Sequence, residues 1–244
     1  MVAFTQVVLA LATFGGALAA PAAEPVAEPT FEAPDFELTT KDLIKRQDYN
    51  QNYKTSGNVN FSPTSNGYSV QFSNAGDFVV GKGWNTGTSR FVHQCFRLMD
   101  NPLTFHSKIN FSGSTSATAG TVLVSVYGWT TNPLIEYYVQ EYTSNGAGSA
   151  QGQKVGTVTC DGSVYDIWKH QQVNQPSIQG TSTFWQYISN RQTPRPGSGT
   201  VTTSCHFDAW KALGLNLGTH NYQTLSTEGW GNAGGSSQYT VSGS

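Results

Sequence analysis

Hydrophobic and polar residues alternate along short stretches of this chain, as in Tyr68-Ser69-Val70-Gln71-Phe72, Val122-Leu123-Val124-Ser125-Val126-Tyr127 and Tyr137-Tyr138-Val139, and turns rich in Gly, Asn and Ser separate them. Period-two alternation bounded by turn residues is the pattern of β-strands. One segment breaks it. In His206-Phe207-Asp208-Ala209-Trp210-Lys211-Ala212-Leu213, the residues Phe207, Trp210 and Leu213 fall at helical spacing, with Ser204 placed to cap the helix and Gly214 to stop it. The pattern predicts an all-β sandwich with one surface α-helix.

The same alternation sorts side chains by face. Around Glu136, the residues Leu134, Glu136, Tyr138 and Gln140 share one face, and Ile135, Tyr137, Val139 and Glu141 share the other. Tyr222, Thr224, Ser226, Glu228 and Trp230 form a second polar and aromatic face. Beyond residue 46 the chain has only three glutamates, and Glu141 points away from Glu136. Glu136 and Glu228 are therefore scarce carboxylates among aromatic side chains. Glycoside hydrolysis needs one carboxylate at the anomeric carbon and one carboxylic acid at the leaving oxygen, roughly 5–5.5 Å apart for retention. On residue types alone, partly buried structural glutamates account for the pattern better.

The ends of the chain narrow its setting. An apolar run from Val7 to Leu18 passes into Ala17-Leu18-Ala19-Ala20, too short for a membrane span and suited to a secretory signal over residues 1–20. Residues 21–46 are rich in Pro, Ala and acids, bury no core, and end in Lys45-Arg46, so they read as a propeptide that releases a chain starting at Gln47. The remaining 198 residues carry nine acidic and ten basic side chains and no basic patch, so neither nucleic acid nor a membrane is an expected partner. Length and composition favour one domain over residues 47–244. Cys160 and Cys205 are candidates for one disulfide, which leaves Cys95 over. Asn60-Phe61-Ser62 and Asn110-Phe111-Ser112 are acceptor sequences for glycans.

From about Tyr68 to Val241 the chain resembles the family 11 glycoside hydrolases, small secreted endo-β-1,4-xylanases. The resemblance rests on Gly81-Lys82-Gly83-Trp84, Val126-Tyr127-Gly128-Trp129, Pro133-Leu134-Ile135-Glu136-Tyr137-Tyr138, Asp161-Gly162-Ser163-Val164-Tyr165-Asp166, Val173-Asn174-Gln175-Pro176-Ser177-Ile178 and Thr227-Glu228-Gly229, in the family's order. It implies a β-jelly roll of two strongly twisted antiparallel sheets, with Pro176-Ser177-Ile178-Gln179-Gly180 at the tip of a hairpin "thumb" over a concave cleft. By the same resemblance Glu136 is the nucleophile and must stay ionised. Glu228 is then the acid/base, its proton held by the charge of Glu136 nearby. Tyr127, Tyr138, Tyr222, Gln175, Pro176 and Gln186 match substrate-binding positions, and Cys160 and Cys205 match a cysteine pair that bridges a strand to the helix. Asp77 matches a position beside the acid/base where Asp accompanies an acidic working pH. A carboxyl there hydrogen-bonded to Glu228 couples the two titrations, so Asp77→Asn is expected to move the optimum upward.

The chain departs from the family's commonest pattern in several places. Gln172 and Thr131 stand where Arg is frequent, and the N-terminal segment lacks the family's Tyr- and Trp-rich strand, with Tyr53 as a partial replacement. Phe91 to Ser107 has no counterpart: it contains no Gly, the unpaired Cys95 and two of the five His. One reading, carried by that gap against the family, is a retained in-frame intron; the degenerate codons also permit a donor at Arg90-Phe91-Val92, a branch site at Leu103-Thr104 and a terminal AG at Ser107. The other is a loop extension. A metal site from His93, Cys95 and His106 has no fourth ligand at a suitable spacing.

The resemblance thus implies a secreted, monomeric endo-1,4-β-xylanase that acts on xylan with retention and needs no metal or cofactor. A catalytically inactive xylan-binding jelly roll, or cleavage of β-glucan by a related sandwich, are the alternatives.

Overall fold

The computed structural model describes residues 47–85, 107–146, 148, 150 and 152–244. The signal and propeptide segments, residues 91–106 of the atypical insertion, and with them His93, Cys95 and His106, lie outside the described residues.

In chain order the elements are β1 (Tyr49–Lys54), β2 (Asn58–Pro63), β3 (Gly67–Ala75), β4 (Phe78–Asn85), β5 (Lys108–Thr131), β6 (Ile135–Thr143), β7 (Gln153–Cys160), β8 (Ser163–Ser177), β9 (Gly180–Arg191), β10 (Gly199–Thr202), α1 (Thr203–Ala212) and β11 (Thr219–Gly243). Two of these strands are more than twice as long as most. Their register explains why: β5 and β11 pair from Thr131↔Thr219 to Thr121↔Trp230, break, and resume from Ala119↔Gly234 to Ile109↔Gly243. At the break Gly120, Gly231 and Asn232 all take positive φ, the conformation that glycine adopts at least cost. A Cβ on Gly120 would also meet the Trp230 carbonyl oxygen at 2.6 Å.

The break divides the strands into two layers. The cleft layer runs β1-β4-β11-β5-β6-β9-β8-β7 through the Thr219–Trp230 half of β11 and the Thr121–Thr131 half of β5. The outer layer joins β2 and β3 to the other half of β11, and that half of β5 to β10. The sandwich expected from sequence is therefore present, but two shared strands make its hydrogen bonding continuous. One pair is also not antiparallel: β6 and β9 run parallel, because the β7–β8 hairpin lies between them in the chain.

Between the layers Tyr68, Val70 and Phe72 of the outer layer pack with Val122, Val124, Val126, Tyr137 and Val139 of the cleft layer. Ile135, Tyr137 and Val139 all point into this core, as the alternation around Glu136 requires. Glu141 shares their face and is completely buried. It accepts hydrogen bonds from Tyr165 at 2.7 Å and from Arg195 Nε at 2.7 Å, and Arg191 lies 3.7 Å away.

The helix packs Trp210 against Tyr137 and Tyr187, and the Trp210 indole donates to Ser189 Oγ at 3.0 Å. Gly214 stops it as expected. Its N–H reaches Lys211 and that of Leu215 reaches Trp210, the paired bonds that close a helix at a left-handed glycine. The start differs from expectation: Ser204 lies inside the helix and Thr202 occupies the cap position. The helix follows β10 directly, and Asp161 serves its start, accepting from the Thr202 N–H and hydroxyl at 2.7 Å each. A disulfide joins Cys160, at the end of β7, to Cys205 in α1. Among the described residues no helix is long and apolar enough to cross a membrane.

Candidate active site

On the cleft layer, the side chains that face away from the core line a depression of about 370 Å³. Tyr127 and Trp129 come from β5, Glu136 and Tyr138 from β6, Phe184 and Gln186 from β9, and Tyr222 and Glu228 from β11. Each set shows period-two spacing, so strand geometry alone aims all of them at one space. Gln175 and Pro176, with Ser177 and Ile178, overhang from the β8–β9 hairpin. That hairpin turns tightly: the Ser177 hydroxyl donates to the Gly180 carbonyl at 2.6 Å and accepts the Gln179 N–H at 3.0 Å. Asp77, from the turn between β3 and β4, lines the same cleft. All nine catalytic, substrate-binding and pH-modulating positions named from sequence thus meet in one cavity.

Glu136 is 7 % exposed. Its Oε1 accepts from the hydroxyls of Tyr127 and Tyr138 at 2.8 and 2.9 Å, and its Oε2 from Gln186 Nε2 at 2.7 Å. Burial pushes its pKa up, the three donors oppose that rise, and the charge of Asp77 adds to it. Burial also pushes the Tyr127 and Tyr138 hydroxyls well above their usual range, with the charge of Glu136 adding, so they remain donors. Trp129 Nε1 in turn donates to the Tyr127 oxygen at 2.7 Å.

Glu228 has a different environment. Its Oε2 is buried without a hydrogen-bond partner. Burial pushes its pKa well above the carboxylate range, followed by the charges of Glu136 and Asp77. The charge of Glu136, the cause expected from the family resemblance, contributes, but desolvation is the larger cause. Asp77 makes no direct hydrogen bond to Glu228. The expected contact is absent, and the two carboxyls interact through charge, while burial pushes Asp77 itself upward.

The chain resembles known proteins throughout this region. The family model described as glycosyl hydrolases family 11 matches residues 45–239. This chain belongs to glycosyl hydrolase family 11. Among family members, endo-1,4-beta-xylanase 1 of Hypocrea jecorina is 46 % identical over 245 residues, covering 98 % of each chain. The ethylene-inducing xylanase of Penicillium digitatum is 52 % identical over 188 residues, 76 % of this chain and 77 % of the relative. A solved structure from a comparison of two major endo-1,4-beta-xylanases of Trichoderma reesei superposes with a TM-score of 0.70 at 50 % identity, covering 81 % of this chain and 99 % of that one.

Within this family 11 cleft, β1 pairs with β4 and supplies a wall. Tyr53 lines it, as its place in the N-terminal segment suggests, and Tyr49 and Gln51, which the sequence pattern does not single out, line it beside Tyr53. Tyr49 stacks on Tyr222 with ring centroids 4.3 Å apart. Their spacing at every second position was the available signal. Trp129 and Phe184 meet edge to face at 4.7 Å and close another wall. Thr131 is not among the lining residues, whereas Gln172 is. No group of three or more His, Cys, Asp or Glu among the described residues is placed to hold a metal ion.

Proposed function

We propose that this protein is an endo-1,4-β-xylanase that hydrolyses internal bonds of xylan with retention, with Glu136 as nucleophile and Glu228 as acid/base. The observation that carries the reading is the contrast between the two glutamates. Glu136 is surrounded by three donors that stabilise a carboxylate, while Glu228 is buried with one oxygen unpartnered and its proton strongly held. One is equipped to carry charge and the other to give up a proton.

In the first step Glu136 attacks the anomeric carbon as the bond to the leaving oxygen breaks, and that oxygen takes the Glu228 proton. Glu228, now ionised, deprotonates a water that attacks the same carbon and releases Glu136. Two inversions give retention. Tyr127, Tyr138, Tyr222, Gln175, Pro176 and Gln186 hold the sugar chain against this pair. The names of the relatives support xylan as the substrate. Both carboxyls are in the cleft, so no observation favours a binding module without hydrolysis.

The same reading makes the working protein a secreted monomer that starts at Gln47 after loss of residues 1–20 and 21–46. Residues 91–107 remain either intron-derived or a loop extension, and sequencing the transcript separates these. The experiment that tests the catalytic assignment is trapping with a 2-deoxy-2-fluoro xylobioside bearing a dinitrophenolate leaving group, followed by peptide mass spectrometry. A label on Glu136 is expected; a label elsewhere, or none in a protein that releases reducing sugar from xylan, overturns the assignment.

A further inference from the structure

Gln186 donates to Glu136 Oε2, and a carboxylate can only accept, so its amide must present nitrogen to Glu136 and oxygen to the other side. On that side Gln172 Nε2 donates to Gln186 Oε1 at 3.3 Å. Gln172 has a particular place in the fold. It is the last β8 residue in regular register with β9, opposite Phe184, and pairing resumes only at Gln175↔Ser182. Between them Asn174 takes a φ of 53°, and its N–H reaches Thr183 Oγ1 at 3.3 Å. The overhanging hairpin therefore begins immediately after Gln172.

We propose that Gln172 is a positioning residue that couples the base of the overhanging hairpin to Glu136 through Gln186. The inference rests on the assignment of Glu136 as nucleophile. A primary amide held at one end only can rotate and set its oxygen against the carboxylate, which repels it. The Gln172 donor fixes the productive orientation, and each bond in the relay polarises the next. The 3.3 Å bond is the longest link of the relay, and without it the Gln186 donor to Glu136 Oε2 loosens and Glu136 becomes harder to ionise.

The test compares the wild type with Gln172→Met, which keeps length and removes the donor, and Gln172→Arg, which restores a donor and adds a charge. Residues 47–244 contain three glutamates, so carboxyl-labelled glutamate gives three ¹³C signals to titrate. The Glu136 signal is expected to titrate at higher pH in Gln172→Met and at or below the wild-type value in Gln172→Arg. In xylan assays, Gln172→Met is expected to lower kcat about two- to tenfold, the scale of one hydrogen bond, and to move the acid limb of kcat/KM upward while KM changes less than about twofold. An unmoved Glu136 titration in Gln172→Met overturns the proposal, as does a rise in KM alone, which would make Gln172 a simple sugar contact. The titration needs no turnover, so its outcome stands apart from whether xylan is the substrate.

Discussion

Glu136 and Glu228 hang from neighbours on opposite edges of β5 and are displaced along it: Glu136 lies across from Trp129 and Glu228 across from Leu123. On a flat sheet six residues would separate them by about 20 Å along the strand. They line one cleft, and the charge of Glu136 raises the pKa of Glu228. Sheet twist is the feature that shortens such a separation, because it turns neighbouring strands relative to one another and curves the face they share.

The acid role of Glu228 predicts a dependence on the leaving group. Glu228→Gln is expected to lower kcat on xylan by about 10²–10⁴-fold. On aryl xylosides whose phenol leaves without protonation, the first step should survive, and azide should accelerate the second. Equal losses on both substrates would count against the assignment.

Asp77 sets a pH limit. Proton donation turns Glu228 into a carboxylate, and an ionised Asp77 opposes that charge, as its upward push on the Glu228 pKa records. The productive form thus has Asp77 protonated, and activity falls as pH rises through the Asp77 pKa. Asp77→Asn, neutral at every pH, is expected to move the alkaline limb of the kcat/KM profile upward; an unchanged limb would exclude the mechanism.

His206 predicts an acid weakness of the fold. It is completely buried, lies edge to face with Tyr165 at 4.6 Å, and burial lowers its pKa to about 4. Asp161 partly opposes that fall and Arg191 adds to it. The unfolded chain therefore binds the proton more readily, so stability is full above about 6.5 and is lost as pH falls toward 4, by on the order of 3 kcal/mol. His206→Phe should flatten the fall in Tm over that window, as read by calorimetry at a series of pH values. A slope equal to the wild type would assign the effect elsewhere, with His220, also lowered to about 4 by burial, as the first candidate.

Glu141 predicts a stability loss without a catalytic one. Removing the charge with Glu141→Gln leaves Arg191 and Arg195 without their buried partner and should cost about 3–5 kcal/mol. Urea titration measures it, while kcat at 25 °C on the folded fraction should stay near the wild-type value.

The disulfide closes a separation of 45 residues, worth about 4 kcal/mol by chain entropy. Replacing both Cys160 and Cys205 by Ser should lower Tm by roughly 8–16 °C. A fall of the same size on reduction of the wild type would tie the effect to the bond rather than to the packing of the new side chains.

Much of this was readable from the chain because period-two alternation is a strong signal where one face is apolar. Val122 to Tyr127 and Ile135 to Glu141 declared both their strands and their faces, and Glu136 followed. β1 was missed because Tyr49, Gln51 and Tyr53 on one side alternate with Asn50, Asn52 and Lys54 on the other, so neither face is apolar. The cap of α1 was misplaced for a related reason: its partner Asp161 is brought up by tertiary structure, and local spacing carries no trace of it. The absent Asp77–Glu228 hydrogen bond is of the same kind, since side-chain contact depends on how the β3–β4 turn sits against β11.

Because β5 and β11 each pass through both layers, the described residues contain no seam along which the catalytic face can detach from the back. Opening one half of either strand pulls on a ladder that continues into the other half. Backbone amides of Ile109 to Ala119, far from any sugar, should therefore exchange with solvent in the same cooperative event as those of Val122 to Trp129, and damage at the back should be felt at the catalytic face.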